Sequence, residues 1–148
     1  MPNPLRVVLQ ASQTTTTSST GNIINVPAGY HGCILHLNVT AASGTSPTLN
    51  VYVQDQLVPS SSTDAVLNPP SGTALYADFA SFLQMTAAGD TTLRIWNGGT
   101  SAGVAVTDGT LTAGTVNVGP VGLKWRIKWV LTATTPSFTW SLVGNFIP

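Results

Sequence analysis

The chain has 148 residues and a mass of 15.3 kDa, about one domain's worth at ~100–200 residues per domain. Charged residues are 7% of it, five Lys+Arg against five Asp+Glu with a formal net charge of zero, against ~25% charged in typical soluble domains. That balance argues against a nucleic-acid partner held through released counterions, which needs clustered excess cation. All five acids are Asp, and the chain holds 22 Thr and 13 Ser. A sequence poor in Glu, Lys and Arg but rich in Thr and Val lacks the usual helix surface and reads as all-β. The lone Cys33 excludes an intramolecular disulfide and leaves the redox compartment open.

Residues 1–20 read as an extended N-terminal arm, followed by a single β domain over 21–148. Leu5, Val7 and Leu9 alternate like a strand, and Gln10–Thr20 is almost entirely Thr, Ser and Gln. With no apolar periodicity of its own, that stretch is expected to order only by docking on something else. The apolar run Leu5–Leu9, interrupted by Arg6, is shorter than the ~7–15-residue apolar region of a signal peptide. Neither a secretory leader nor a membrane span is expected.

From Ile23 the pattern has period two. Cys33, Leu35, Leu37 and Val39 share one face opposite Ile34, His36, Asn38 and Thr40, and Leu49, Val51 and Val53 repeat the pattern. Gly44 and Pro47 between these runs predict a turn and a hairpin. Residues 56–72, with Pro59, Pro69 and Pro70, read as a long surface loop. Residues 74–86 are apolar and aromatic with ambiguous periodicity, strand or a short helical turn over 76–82. A turn at Ala88–Asp90 leads into Leu93 and Ile95, and Asp108-Gly109 suggests a type I′ hairpin between two weak strands within 98–122.

The clearest element is Leu123–Ala133, where Leu123, Trp125, Ile127, Trp129 and Leu131 alternate with Lys124, Arg126, Lys128, Val130 and Thr132. A second predicted hairpin turns at Thr134–Ser137 into Phe138, Trp140 and Leu142. Many short strands with turns about every ten residues suggest a β-sandwich or small jelly-roll-like β-barrel, with Trp125, Trp129 and Trp140 at its centre.

Chemistry-bearing constellations are sparse. His31, Cys33 and His36 are the only His/Cys cluster, but 31 and 33 share a strand face that 36 does not, and a closed zinc site needs four ligands. Cys33 reads as a small buried hydrophobe. No Gly-x-Ser-x-Gly elbow, phosphate-binding glycine loop or obvious carboxylate pair occurs, so no catalytic residue, metal, cofactor or small-molecule ligand is expected. Asn38-Val39-Thr40 matches a glycosylation triplet but lies in a strand pattern. Lys124, Arg126 and Lys128 put three of the five cations on one strand face, either a solvated stripe or a contact for acidic protein surface or phosphate. Trp96, beside Asn97-Gly98-Gly99, is either a core-edge residue or an interface or carbohydrate platform.

Three pieces of the chain resemble a pattern recurring in small virion proteins of tailed bacteriophages. They are His36–Val51 (HLNVTAASGTSPTLNV), Gly89–Asn97 with its Leu-Arg-Ile-Trp, and the segment from Trp125-Arg126-Ile127-Lys128-Trp129 through Phe138-Thr139-Trp140-Ser141. Among such proteins the chain looks most like a capsid decoration protein. The resemblance implies a β-rich homotrimer on the outer surface of the phage head, bound to the major capsid protein and made in the host cytoplasm. Leu5, Val7, Leu9, Trp96, Lys124, Arg126 and Lys128 are the residues expected at its subunit or capsid interfaces. A head-fibre or tail component that binds host glycan is the alternative, followed by a small virion hydrolase.

Overall fold

The computed structural model describes residues 3–58, 75–96, 107–117 and 122–148. They are all-β, with no helix among them. Seven strands follow in order: β1 (Leu5–Thr15), β2 (Ser19–Thr20), β3 (Ile24–Asn25), β4 (Gly32–Val58), β5 (Leu75–Ser81), β6 (Gly89–Trp96) and β7 (Lys124–Ile147). Every pairing is antiparallel, and the strands form one sheet that does not close into a barrel.

The architecture rests on the two long strands. β4 pairs with β7 from Gly32↔Ile147 through Ala42↔Phe138, and again from Thr48↔Thr132 to Asp55↔Trp125. The register slips once inside the first run, between Val39 and Ala41, and twice between the runs, from Ser43 to Thr45 and from Thr45 to Thr48, where both strands bend together. The two hairpins predicted at Ala42–Pro47 and Thr134–Ser137 are therefore corrected: neither half folds back to pair with its own other half. The breakers act instead as a matched corner in two partnered strands, the device by which strands switch layers in β-sandwiches. Gly44 sits at φ +119°, Ser46 at +49° and Thr135 at +50°, while Pro47 and Pro136 supply no N–H to the ladder at the irregularity where the loss is tolerated.

The corner folds the sheet on itself. In one layer β5, the second half of β4, the first half of β7 and the short β2 and β3 lie side by side; in the other, β6, the first half of β4, the second half of β7 and β1. The halves of β7 face each other across the core, so Trp129 meets Trp140 with ring centroids 5.4 Å apart and planes at 68°, and Trp125 meets Phe146 at 5.8 Å. Edge-to-face and tilted geometries of this kind add to area burial. Leu35, Leu37, Val39, Leu49, Val51, Val53, Leu93, Ile95, Ile127 and Leu142 complete the same buried cluster, as their period-two spacing requires.

The first twenty residues do not behave as an arm awaiting a partner. β1 pairs along the outer edge of β7, from Leu5↔Phe146 to Thr15↔Phe138, and β2 and β3 continue along the same strand to Asn25↔Lys124. The expectation missed polar rather than apolar reasons for order. The Trp140 indole N–H donates to Thr15 Oγ1 at 3.0 Å, the Trp129 indole to the Thr17 carbonyl at 3.0 Å, and the Leu131 N–H to Ser18 Oγ at 2.8 Å. Thr and Ser here satisfy donors that core burial would otherwise strand.

Residues 75–81 are a strand, not a helical turn. Their periodicity is blurred because both faces are covered: around a bulge at Phe79, between Val53↔Ala80 and Gln54↔Asp78, the four successive residues Asp78, Phe79, Ala80 and Ser81 are buried. The proposed type I′ turn at Asp108-Gly109 is also corrected: only Gly109 has positive φ, at +77°. Within 107–117 the one ladder element is the isolated bridge Ala80↔Val116. The predicted loop at 56–72 lies mostly outside the described residues, and β4 runs through its first positions to Val58.

Candidate functional site

The outer face of the first layer gathers two of the five carboxylates, Asp78 and Asp108, with three of the five cations, Lys124, Arg126 and Lys128. Alternation on β4 brings Tyr52 and Gln54 opposite Lys128 and Arg126 of β7, with Ser81 and Asp78 of β5 on the other side. Gln54 is fully buried at the centre. Its Nε2 donates to Asp78 Oδ1 at 2.7 Å and Asp108 Oδ1 at 2.8 Å, and its Oε1 accepts from Arg126 Nε at 2.6 Å. The Arg126 guanidinium lies 4.0 Å above the centre of the Tyr76 ring, a cation–π arrangement. Lys128 Nζ reaches Asp108 Oδ1 at 2.7 Å.

This cluster is a clasp. Asp78 Oδ2 accepts the backbone N–H groups of Gly109, Thr110 and Leu111 at 2.7, 3.1 and 3.3 Å, a concave set of donors suited to an anion. Backbone bonds from Asp78 N to Thr107 O, Ser81 N to Thr115 O and Asn117 N to Phe79 O fix the same segment beside β5. Burial pushes the Asp108 carboxyl up, but hydrogen bonds from Lys128 and Gln54 and the charges of Lys128 and Arg126 outweigh it and hold the group below the usual carboxylate range. Two cations and two carboxylates thus neutralise one another over the sheet. Lys124, Arg126 and Lys128 share a face as the spacing predicts, yet Arg126 and Lys128 are engaged inside the chain, while Lys124 is exposed at the strand end.

The outer face of the second layer is different in kind. Reading across from β6 to β1, it presents Trp96, Arg94, Ile34, His36, Val143, Arg6 and Val8. No described segment hydrogen-bonds over it. Trp96 is 62% exposed and Val8 60%. The indole rests beside Gly32, where a Cβ would sit 2.9 Å from its six-membered ring. His36 Nε2 lies 3.1 Å from Asp90 Oδ1. Arg6 and Arg94 form no ion pair among the described residues. The same rows carry Asn145, Thr92, Asp90, Asn38 and Ser141, so the face is mixed: Ile34, Val143 and Val8 are set among polar side chains, Arg6 and Arg94 stand against the one carboxylate of Asp90, and Trp96 is at one corner.

The remaining predicted positions separate. Leu9 is buried in the chain's own core and Val7 packs against that core, so these two do not stand free for a neighbouring subunit, whereas Leu5 is 40% exposed on the edge strand. Cys33 is buried on the inner face, its thiol pushed up to about 12 by desolvation, and His36 lies on the opposite face. Among the described residues no three His, Cys, Asp or Glu side chains gather as metal ligands. Asn38 sits inside a ladder opposite Asp90 and Ser141.

Sequence reasoning missed the clasp, although a signal was present: Asp78 is a lone charge within an apolar aromatic run, and such a charge needs a built partner set. No protein-family model and no curated protein matches the chain.

Proposed function

We propose that the chain is a structural virion protein, a capsid decoration protein that binds the outer surface of a tailed-phage head as a homotrimer and stabilises the assembled shell. The three resembling segments support this reading because they are one piece of the fold. His36–Val51 spans the corner of β4, Gly89–Trp96 of the second segment forms β6 beside it, and Trp125–Ser141 spans the corner of β7. The observation that carries it is the outer face of the second layer, over which no described segment hydrogen-bonds. An exposed Trp96 and Val8 alongside Arg6 and Arg94 make a surface of the composition seen where proteins dock, with aromatic and Arg anchors enriched.

The physical role follows from mass action. A protein that binds assembled shell and not free capsid subunits stabilises the assembled state, and three copies held together convert modest contacts into avidity. A face with few charges to desolvate suits such a contact.

The experiment is binding of the purified chain to expanded heads lacking decoration, followed by localisation in a reconstructed map of the particle. Saturable density on the head exterior is expected, with Trp96→Ala weakening binding at least tenfold. Absence from the particle overturns the proposal. Density confined to the tail or fibres supports the second reading, a glycan-binding component, which the exposed Trp96 ring favours. In that case glycan-array binding is lost in the same variant.

A further inference from the structure

We propose that the open end of the sandwich is a binding site for one small uncharged aromatic molecule. A cavity of ≈ 190 Å³ opens there, away from the clasp, with Tyr30, Cys33, Ile95, Trp125 and Phe146 among its walls and Ala28 and Leu123 at its mouth. The turn at 26–30 crosses this end of the molecule. It is pinned by Val26 N–H donating to the Leu123 carbonyl at 2.8 Å and His31 N–H to the Ile147 carbonyl at 3.0 Å.

Part of the wall is bare backbone. Gly29, Gly32 and Gly122 all line it. At Gly32 a Cβ would meet the Ile95 carbonyl at 2.8 Å, and Gly29, at φ +84°, takes a backbone conformation that side chains resist. Side chains are therefore resisted at Gly29 by backbone conformation and at Gly32 by contact with Ile95 and Trp96.

The lining chemistry selects the occupant. Three aromatic rings bound the space, Trp125 and Phe146 in tilted contact and Tyr30 edge-on to Phe146 at 6.0 Å. None of the described lining residues carries a charge; the Asp55 carboxylate stands against the wall but accepts the Gly122 N–H at 2.6 Å, and the Cys33 thiol is neutral because burial pushes it up to about 12. A charged ligand would be desolvated here without a partner, whereas aromatic faces and edges are offered on three sides. An apolar cavity of ~150 Å³ stays dry and accepts benzene, so this one accommodates a single substituted ring or a fused bicycle of indole size. Cavities of this size suit fragments rather than drug-sized molecules.

The test is calorimetric titration of indole into the full chain, repeated with Ala28→Phe, which plugs the mouth, and Leu123→Glu, which puts a charge on the rim. Val8→Ser, on the opposite surface of the layer, is the control. One-to-one saturable binding with a dissociation constant on the order of 0.1–1 mM is expected for a ligand of nine heavy atoms. Either mouth variant should weaken it at least fivefold, and Val8→Ser should leave it unchanged. Indole should also slow modification of Cys33 by methyl methanethiosulfonate at least threefold. If Ala28→Phe does not fold, Leu123→Glu decides alone. No saturation up to the solubility limit of indole overturns the proposal, as does binding that the mouth variants leave intact. Concentration-dependent self-association abolished by the same variants also overturns it, because the occupant is then a second copy of the chain.

Discussion

Trp140 and Thr15 meet inside the protein, the indole N–H donating to the threonine hydroxyl at 3.0 Å with both side chains buried. The threonine belongs to the edge strand β1, so a polar contact anchors the N-terminal segment to the deepest part of the core. Thr15→Val preserves shape but removes the acceptor. A buried donor left unsatisfied costs ~1–3 kcal/mol, so the variant should lose about that much stability in denaturant unfolding. In the Trp140→Phe background, where the donor is gone, the same substitution should cost measurably less. Equal costs in both backgrounds would remove the hydrogen bond from the account.

The clasp makes a separate prediction. Asp78 holds three consecutive backbone N–H groups of 109–111 and the amide of Gln54. Asp78→Ala leaves those donors unmatched, and since one buried donor left unsatisfied costs ~1–3 kcal/mol, the variant should lose at least that much stability in denaturant unfolding. Hydrogen exchange should rise first at Gly109, Thr110 and Leu111, well before the β4–β7 ladder. Uniform loss of protection would mean that the segment is not an independent flap.

The two sides of the core differ in how much sequence alone reveals. The inward faces of β4, β6 and β7 follow from alternation because each has one wet and one dry side, and that difference is written in residue type. The corner did not follow. Gly44, Pro47 and Pro136 mark a break in regular pairing, but a hairpin turn and a matched bend of two partnered strands use the same residues, and only the partner's register tells them apart. The N-terminal segment was obscured for the opposite reason: Thr14, Thr15 and Ser18 bind through hydroxyls and Thr17 through its carbonyl, which hydrophobic periodicity does not register. In the clasp, the cation stripe on β7 was visible but its consumers, Gln54, Asp78 and Asp108, come from sequence positions more than fifteen residues distant.

Asp55 and Asp108 should move stability with pH in opposite senses. Burial raises the Asp55 carboxyl, only partly countered by N–H groups of Gly122 and Gln56. It therefore binds its proton more tightly folded than unfolded, and its contribution is present below the ordinary carboxyl range and lost as pH rises through its folded value. Asp108 is held low, so its contribution is present above that range and lost as pH falls through its folded value. Unfolding midpoints taken between about pH 3 and 7 should show Asp55→Asn gaining on the wild type toward neutrality. Asp108→Asn should instead flatten the acid limb. An Asp55→Asn variant that loses ground as pH rises would show that its carboxylate is stabilised rather than strained.

Core packing across the fold and exposure on its outer face give a paired test. Trp129 faces Trp140 in the interior, whereas Trp96 is exposed. Truncating a buried Trp to Ala costs ~3–5 kcal/mol, and a substitution on an open surface stays within ~0.5 kcal/mol. Trp129→Ala should therefore unfold at much lower denaturant while Trp96→Ala barely shifts. A large loss from Trp96→Ala would make that ring part of the fold and weaken its assignment to a docking face.

The corner itself is testable at Gly44. Its φ of +119° is one that only glycine adopts without strain, and a Cβ there would lie 2.9 Å from the Thr135 carbonyl oxygen on the bent partner strand. A side chain must push the two corners apart, and because both layers hang from that joint the displacement reaches the Trp129–Trp140 contact. Gly44→Ala should thus destabilise by more than the ~1 kcal/mol that a compatible Gly→Ala exchange can gain, and the indole signals of Trp129 and Trp140 should shift in NMR spectra. Ser43→Ala, one residue away on an exposed position, should do neither. Should Gly44→Ala be neutral, the bend does not depend on the glycine backbone, and the paired register slips alone would have to set the angle between the layers.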